Sequence, residues 1–330
     1  MSEAARTTTS PAGHGFTLIE MVIVIVIAGI IASVTAGFIA TAMRGYLDQD
    51  RRATLVDIAD TALTRVTRDV RRALPNSVRV ADNAGDSARV TCNQPGQVCA
   101  IEFLDVVDGG RYRAKPPGPT LPFNRSSGTF DVLGGLYNLP TPYEVGTGSV
   151  ACLQGTAWCL VLYNVGQPVV PPVTSGKSAN AYLGPGSAAA GYVGDIATVS
   201  GISGTPPNQT VSFDNSDLDS GSYHWHFPLR SPQQRFYLVD GPVSYVCDPA
   251  SGTLRRYWGY PIGARPPVDP AAPPLAGARS ALLADHVASC FFDYRPGTSS
   301  RSGLLTVTLA ISEAGETVAL FQQAHVVNAP

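Results

Sequence analysis

The hydrophobic pattern begins with a polar leader and a continuous apolar segment. Residues 1–15 are polar, whereas the sequence from Phe16 to Met43 is almost wholly apolar and has Glu20 as its only charged residue. A helix crosses the hydrocarbon core of a bilayer with about 20 apolar residues. We therefore predict a membrane-spanning helix over residues 16–43, preceded by a leader over residues 1–15.

The helical pattern continues beyond the apolar segment. Apolar residues recur at helical spacing from Leu55 to Ala73, and charged residues such as Asp57 and Arg68 lie on the opposite face. Pro75 ends the pattern, because proline cannot continue a helix. We predict one helix from residue 16 to residue 74, and residues 44–77 are its amphipathic part and end.

From Val78 onward the hydrophobic period changes to that of β-strands, so we interpret residues 78–330 as one β-rich globular body. The clearest hairpin flanks a turn at Ala314-Gly315. Further strands are predicted over residues 101–107, 158–164 and 235–240, the last turning at Asp240-Gly241 into a second strand, and loops over residues 165–210 and 261–278.

Composition and charge argue against a nucleic-acid partner. Only 15% of residues are charged, and the net charge is −2 at pH 7. Nucleic-acid-binding domains usually carry a strong basic excess. The 33 Gly and 27 Pro residues favour a body with many loops and turns.

The six cysteines fall into three pairs along the sequence. Zinc sites usually use closer cysteine pairs supported by histidine, so we predict disulfides rather than a metal. Many pairings are possible, and disulfides require an oxidising compartment such as the periplasm. The simplest pairing joins Cys92 to Cys99, Cys152 to Cys159 and Cys247 to Cys290.

The segment Gly15-Phe16-Thr17-Leu18-Ile19-Glu20 stands at the start of the apolar segment. It resembles the class III signal of type IV pilins and type II secretion pseudopilins. The resemblance implies that a membrane aspartyl peptidase, the prepilin peptidase, cuts after Gly15 and methylates the new amino group of Phe16. An ordinary secretory signal instead has a basic start and a cut after its apolar segment.

Glu20 is a candidate assembly residue. A lone carboxylate in an apolar membrane helix is costly unless it is paired or protonated. Since the filaments of the resembling family stack these helices with a stagger, we expect Glu20 to pair with the α-amine of Phe16 in a neighbouring subunit. The alternative is that Glu20 lies at the headgroup boundary of a plain signal anchor and has no such role.

Later blocks of sequence extend the resemblance. Residues 63–78 are similar to the helix end of large minor pilins and J-type pseudopilins, and residues 231–247 resemble the MshO family of minor pilins of mannose-sensitive haemagglutinin (MSHA) pili. The resemblance implies an α+β type IV pilin fold, in which a long amino-terminal α-helix packs on an antiparallel β-sheet with long disulfide-pinned loops.

Other candidate sites have simpler interpretations. Asp214, Asp217 and Asp219 offer clustered oxygens of the kind that Ca²⁺ accepts, but they lack the spacing of an EF-hand loop, and a solvated acidic turn explains them. Asp285 and His286 lie near Ser289 without a nucleophile elbow. We therefore expect no catalytic residues, no enzymatic activity and no cofactor.

The expected function is that of a minor pilin of a type IV, MSHA-like pilus, acting in initiation and assembly at the tip. The expected partners are prepilin peptidase, the major pilin, other minor pilins, the pilus assembly platform and the inner membrane. The protein would be a single-pass inner-membrane protein with a periplasmic body before assembly, and extracellular afterwards. Two alternatives stay open: a J-type pseudopilin of a type II secretion system, and a pilus-tip adhesin.

Overall fold

The computed structural model describes residues 15–94, 96–166, 179–184, 194–221, 224–297 and 301–328, without the side chain of Thr41. The chain separates into two units, Met1–Ala53 and Thr54–Pro330. The first helix, α1, spans Leu18–Val70, a few residues shorter at each end than predicted. It ends before Pro75. The N–H groups of Arg72 and Ala73 donate to the carbonyl oxygens of Asp69 and Val70, three residues earlier, and the Leu74 N–H donates to the Leu104 carbonyl outside the helix.

The described residues of the second unit form fourteen strands in two antiparallel sheets. The strands are β1 (Arg79–Asp82), β2 (Gly85–Ser87), β3 (Arg89–Cys92), β4 (Cys99–Tyr112), β5 (Ser127–Leu133), β6 (Cys159–Leu162), β7 (Ile196–Thr205), β8 (Asn208–Asp214), β9 (Arg235–Asp248), β10 (Thr253–Trp258), β11 (Arg279–Ala284), β12 (Val287–Arg295), β13 (Gly303–Glu313) and β14 (Glu316–Val326). A short helix, α2 (Ser149–Leu153), precedes β6.

The larger sheet has ten strands in the order β11-β10-β9-β6-β7-β8-β5-β4-β1-β2, and an additional pairing joins β9 to β4. The strands β9, β6, β7, β8, β5 and β4 therefore close into a small barrel. Small barrels are filled by their inward-facing side chains. Here the filling is strongly aromatic and includes Tyr112, Phe130, Trp158, Phe213 and Phe236.

A second core lies between the carboxyl-terminal part of α1 and both sheets. The helix contributes a buried face from Leu55 to Val70, as its periodicity predicts. The larger sheet contributes residues such as Phe103 and Tyr245, and the smaller sheet, ordered β14-β13-β12-β3, contributes residues such as Leu309. The structure thus has the α+β, pilin-like layout of a long helix and antiparallel sheets, with two sheets where the sequence predicted one.

The predictions of a loop over residues 165–210 and of a turn at Asp240-Gly241 are wrong. Residues 196–210, predicted as part of a loop, form β7 and the start of β8, while residues 167–178 and 185–193 of that predicted loop lie outside the described residues. Asp240-Gly241 does not turn the chain: β9 continues through it. Gly241 has a φ of 150°, and the pairing of β4 with β9 shifts register between Asp105 and Val106. The strand therefore accommodates the turn-like sequence as a local irregularity in its pairing.

The six cysteines form the disulfides Cys92–Cys99, Cys152–Cys159 and Cys247–Cys290. The first and third join the two sheets side by side, since Cys99 is the register partner of Cys247 in the larger sheet and Cys92 that of Cys290 in the smaller one. The remaining disulfide fastens α2 to β6. The cysteine pairs therefore connect elements of the core as well as pinning loops.

Candidate functional site

The predicted cleavage site lies immediately before α1. Gly15 and Phe16 are exposed and stand outside the helix, which begins at Leu18. A Cβ added to Gly15 would meet no atom within 4 Å. The fold of this chain therefore places no steric demand on glycine at position 15, so any such demand must come from an enzyme that binds the segment.

Thr17 and Glu20 cap the start of α1. The Glu20 N–H donates to the Thr17 hydroxyl oxygen at 3.3 Å, and the Thr17 N–H donates to Glu20 Oε2 at 3.4 Å. These reciprocal bonds are a capping box, which satisfies two of the free N–H groups at a helix start. Sequence reasoning missed this role, although the spacing Thr-x-x-Glu is a recognised signal for it.

The apolar part of α1 is exposed in the unit that contains it. Phe16 is 78% and Phe38 75% exposed, and the large apolar residues between them are also exposed. A contiguous apolar surface of this extent marks a membrane or protein contact. Since α1 is long and apolar enough to cross a membrane, it fits a single-pass membrane anchor.

Comparison with known proteins identifies this segment. Residues 12–36 match the family model described as the prokaryotic N-terminal methylation motif. The chain carries a prepilin-type N-terminal signal. The motif supports a type IV pilin-like or pseudopilin protein, processed by prepilin peptidase and assembled into a complex of the pilus type. No curated protein and no solved structure matches the chain.

Within the second unit, the end of α1 contacts the sheets through a polar cluster that sequence reasoning did not find. Asp69, near the end of α1, is buried. Its Oδ2 accepts bonds from the Tyr245 hydroxyl at 2.7 Å and from Nε of Arg65 and Arg256, each at 3.1 Å. Burial, together with the Asp69 carboxylate, raises the pKa of Tyr245, so the phenol stays protonated and donates.

The three aspartates considered for calcium have other contacts. Asp214 and Asp217 accept from backbone N–H groups of residues 148 and 149, and Asp219 accepts from the Ser126 hydroxyl at 2.6 Å. Hydrogen bonds to these carboxylates outweigh burial and hold the pKa values of Asp214 and Asp219 below the usual range. Within the described ranges, no group of three His, Cys, Asp or Glu side chains is placed to hold a metal ion. These hydrogen bonds hold the neighbouring loops together.

Proposed function

We propose that the protein is a minor pilin of a type IV, MSHA-like pilus that acts in pilus initiation and assembly at the tip. The main support for this proposal is the methylation motif over residues 12–36, at the start of an exposed apolar helix. The resemblance of residues 231–247 to the MshO family supports the MSHA assignment. The protein is proposed to assemble rather than to catalyse.

Assembly is proposed to use both ends of the signal segment. Cleavage after Gly15 leaves an α-amine on Phe16, and the capping box survives the cut because the Thr17 N–H is retained. The cap engages Glu20 Oε2, while the Glu20 side chain is exposed. The carboxylate can therefore also accept the charged amine of a neighbouring subunit, and such pairing relieves the cost of a charge in an apolar environment.

The tip position rests on the size of the body. The second unit, Thr54–Pro330, holds two sheets, and six strands of the larger one close into a barrel. We take this body to be larger than that of a typical major pilin. A bulky subunit repeated along a fibre must be accommodated at every step, whereas a tip or priming complex accommodates it once. Proteomic quantification of sheared, length-fractionated pili tests this: tip placement predicts a constant number of copies per fibre, whereas shaft placement predicts copies in proportion to fibre length.

A deletion strain separates this proposal from the J-type pseudopilin. Loss of the gene should lower pilus number and leave type II secretion of exoproteins unchanged, and the full chain supplied in trans should restore the pili. Normal piliation with lost secretion would instead assign the protein to the secretion system. Both arms are measured in one strain, by electron microscopy of pili and by assay of secreted enzymes.

A further inference from the structure

The smaller sheet of the second unit has one face on the core and an opposite face that the described residues leave open. On β13, Leu305 and Leu309 are buried in the core, whereas the residues between them are half-buried. On β14, the odd-numbered residues from 317 to 325 are all exposed. We call this open surface the outer face of the smaller sheet.

Two phenyl rings and two threonines alternate in one row across the outer face. Thr91 of β3 lies opposite Phe291 of β12. Thr308 of β13 lies between Phe291 and Phe321, which are its register partners on β12 and β14. The two phenylalanines are therefore two strand spacings apart, about 10 Å. Phe321 is 69% exposed, and Phe291 is half-buried.

The rows on either side of the rings are small or polar. Ala310 and Ala319 lie opposite one another in one neighbouring row. Thr306 and Gln323 are partners in the other, where Gln323 Nε2 donates to the Thr306 hydroxyl at 3.2 Å. A ligand lying across the strands can thus reach the rings and, beside them, hydroxyl and amide groups.

The charges of the outer face lie at its β3 and β12 margin and pair with one another. Oδ2 of Asp293 lies 2.9 Å from Nη2 of Arg89 and 3.4 Å from Nη2 of Arg295. The Arg89 guanidinium also lies 5.6 Å from the centre of the Phe291 ring. The outer-face positions of β13 and β14 carry no Lys, Arg, Asp or Glu. This surface therefore complements a neutral polar ligand better than a charged one.

We propose that the outer face binds a neutral β-1,4-linked glucan chain, laid across the strands with one sugar on Phe291 and another on Phe321. Every second sugar of such a chain presents the same side, and this two-sugar repeat closely matches the separation of the two rings. The C–H groups of a β-glucose ring pack on the electron-rich face of an aromatic ring. Thr308, between the rings, and Gln323 offer hydrogen-bonding groups to the sugar hydroxyls.

The size of the surface favours a polysaccharide over a protein partner. Four strands and three rows of side chains cover about 300–400 Å² at the usual strand spacings, whereas each side of a standard protein interface buries about 800 Å². A glucan chain needs only a narrow strip. An α-1,4-linked glucan coils, so it does not present the same side to two rings in a straight line. The inference concerns the second unit alone and is independent of where the subunit lies in a pilus.

Retention of the full chain, held in lipid nanodiscs, on microcrystalline cellulose tests the proposal. Granular starch, an α-1,4-linked glucan, is the control polymer, and empty nanodiscs are the blank. We expect retention on cellulose and none on starch. Cellohexaose should release the protein, maltohexaose should not, and added salt should leave binding unchanged, because the charges of the outer face are not used.

Phe321→Ala and Phe291→Ala should each lower the affinity for cellulose about tenfold or more, because a few aromatic anchors carry much of the energy of a contact. The matched control is Tyr137→Ala, since Tyr137 is also 69% exposed and lies outside the smaller sheet; it should leave affinity unchanged. Phe321→Ala combined with Thr317→Phe moves a ring two rows along β14. This double variant should bind as poorly as Phe321→Ala, because the spacing of the rings is lost.

Unchanged melting temperatures show that the variants are folded, and the exposed Phe321 decides the test if Phe291→Ala is destabilised. The proposal is overturned by absence of retention on cellulose, equal retention on starch, strong weakening by salt, an equal loss in Tyr137→Ala, or wild-type binding by the double variant. Cross-linking of a second pilin subunit from a photoreactive residue at Ala319, which is exposed beside Phe321, would also overturn it, because the outer face would then be a subunit contact.

Discussion

At the scale of single residues, Glu20 has one observed role and one proposed role, and substitution by alanine alone cannot separate them. It completes the capping box with Thr17, and it is proposed to pair with the α-amine of a neighbouring subunit. Replacement by alanine removes both. Glutamine can still cap, because the capping box accepts Glu or Gln, but it carries no charge.

We therefore predict that Glu20→Gln and Glu20→Ala enter pili equally poorly, although both are processed and inserted into the membrane. Breaking one partner of a buried charge pair costs about 3–5 kcal/mol, which corresponds to a loss of about a hundredfold to a few thousandfold in an assembly equilibrium. Immunoblots of sheared pili and of membranes measure the two pools. Wild-type incorporation of Glu20→Gln together with poor incorporation of Glu20→Ala would show that capping alone matters.

Gly15 provides a second test at this scale. We predict that Gly15→Val blocks processing without changing the fold, because a Cβ at position 15 meets no atom of this chain within 4 Å and the restriction must come from the peptidase. The intact mass of the membrane-bound protein should retain the leader. Gly29→Val is the control, since Gly29 has equally open surroundings; its leader should be removed, and retention there would contradict the assignment of the cut.

Asp195, immediately before β7, is a buried carboxylate. It is 1% exposed, and neither side-chain oxygen has a hydrogen-bond partner among the described residues. Burial raises the pKa of Asp195 well above its usual value. The folded state therefore holds this proton more tightly than the unfolded state. This difference lowers stability as the pH rises from the unfolded pKa toward the folded one.

We predict that Asp195→Asn raises the melting temperature at pH 7–8 by several degrees, since each kcal/mol is worth about 2–4 °C in a domain of this size. The gain should shrink toward pH 4, where the aspartate becomes protonated in the unfolded state as well. Thermal unfolding of the full chain in detergent across this pH range measures it. A gain of equal size at every pH would show that ionisation is not its cause.

At the scale of elements, the end of α1 depends on Asp69. We predict that Asp69→Ala lowers the free energy of unfolding by about 3–5 kcal/mol, because the nearly buried Arg256 guanidinium and the Tyr245 hydroxyl would lose their shared acceptor. Asp57→Ala, on the exposed face of the same helix, should have little effect. Urea unfolding of both variants measures the difference, and similar losses would assign the effect to helix charge rather than to the cluster.

The smaller sheet also contacts α1 through polar side chains. Gln322 of β14 donates to Asp60 at 3.1 Å and to Thr64 at 3.2 Å, and the Thr67 hydroxyl lies 3.1 Å from Gln322 Oε1. These bonds flank the apolar face of the helix. Together with the Asp69 cluster, these bonds fix the rotation of the carboxyl-terminal part of α1 about its axis. Apolar contacts alone would specify this rotation less precisely.

At the scale of the whole molecule, two disulfides join the sheets around the shared core. We predict that Cys247→Ala with Cys290→Ala destabilises the oxidised protein more than Cys152→Ala with Cys159→Ala. The sequence separations are 43 and 7 residues, for which loop-closure entropy gives about 4 and about 2 kcal/mol. Urea unfolding of each double variant tests the order, and a larger loss for the shorter loop would contradict the entropic account.

The sequence by itself determined the features that depend on neighbouring residues. The apolar segment, the signal from Gly15 to Glu20, the buried face of α1 and the hairpin of β13 and β14 are all visible as local periodicity or motif. Each depends on contacts or spacing within a few turns or one hairpin. The order of the cysteines along the chain also favoured the pairing that the structure shows.

Only the tertiary structure decided the features that join distant segments. Residues 196–199 of β7 are all buried, so the alternation that normally identifies a strand is missing there. Register pairing across the barrel places Arg111 opposite Arg235, and the helix end meets Tyr245 and Arg256 only after folding. No local sequence pattern encodes these long-range contacts, because strand pairing and side-chain burial depend on how the whole body packs.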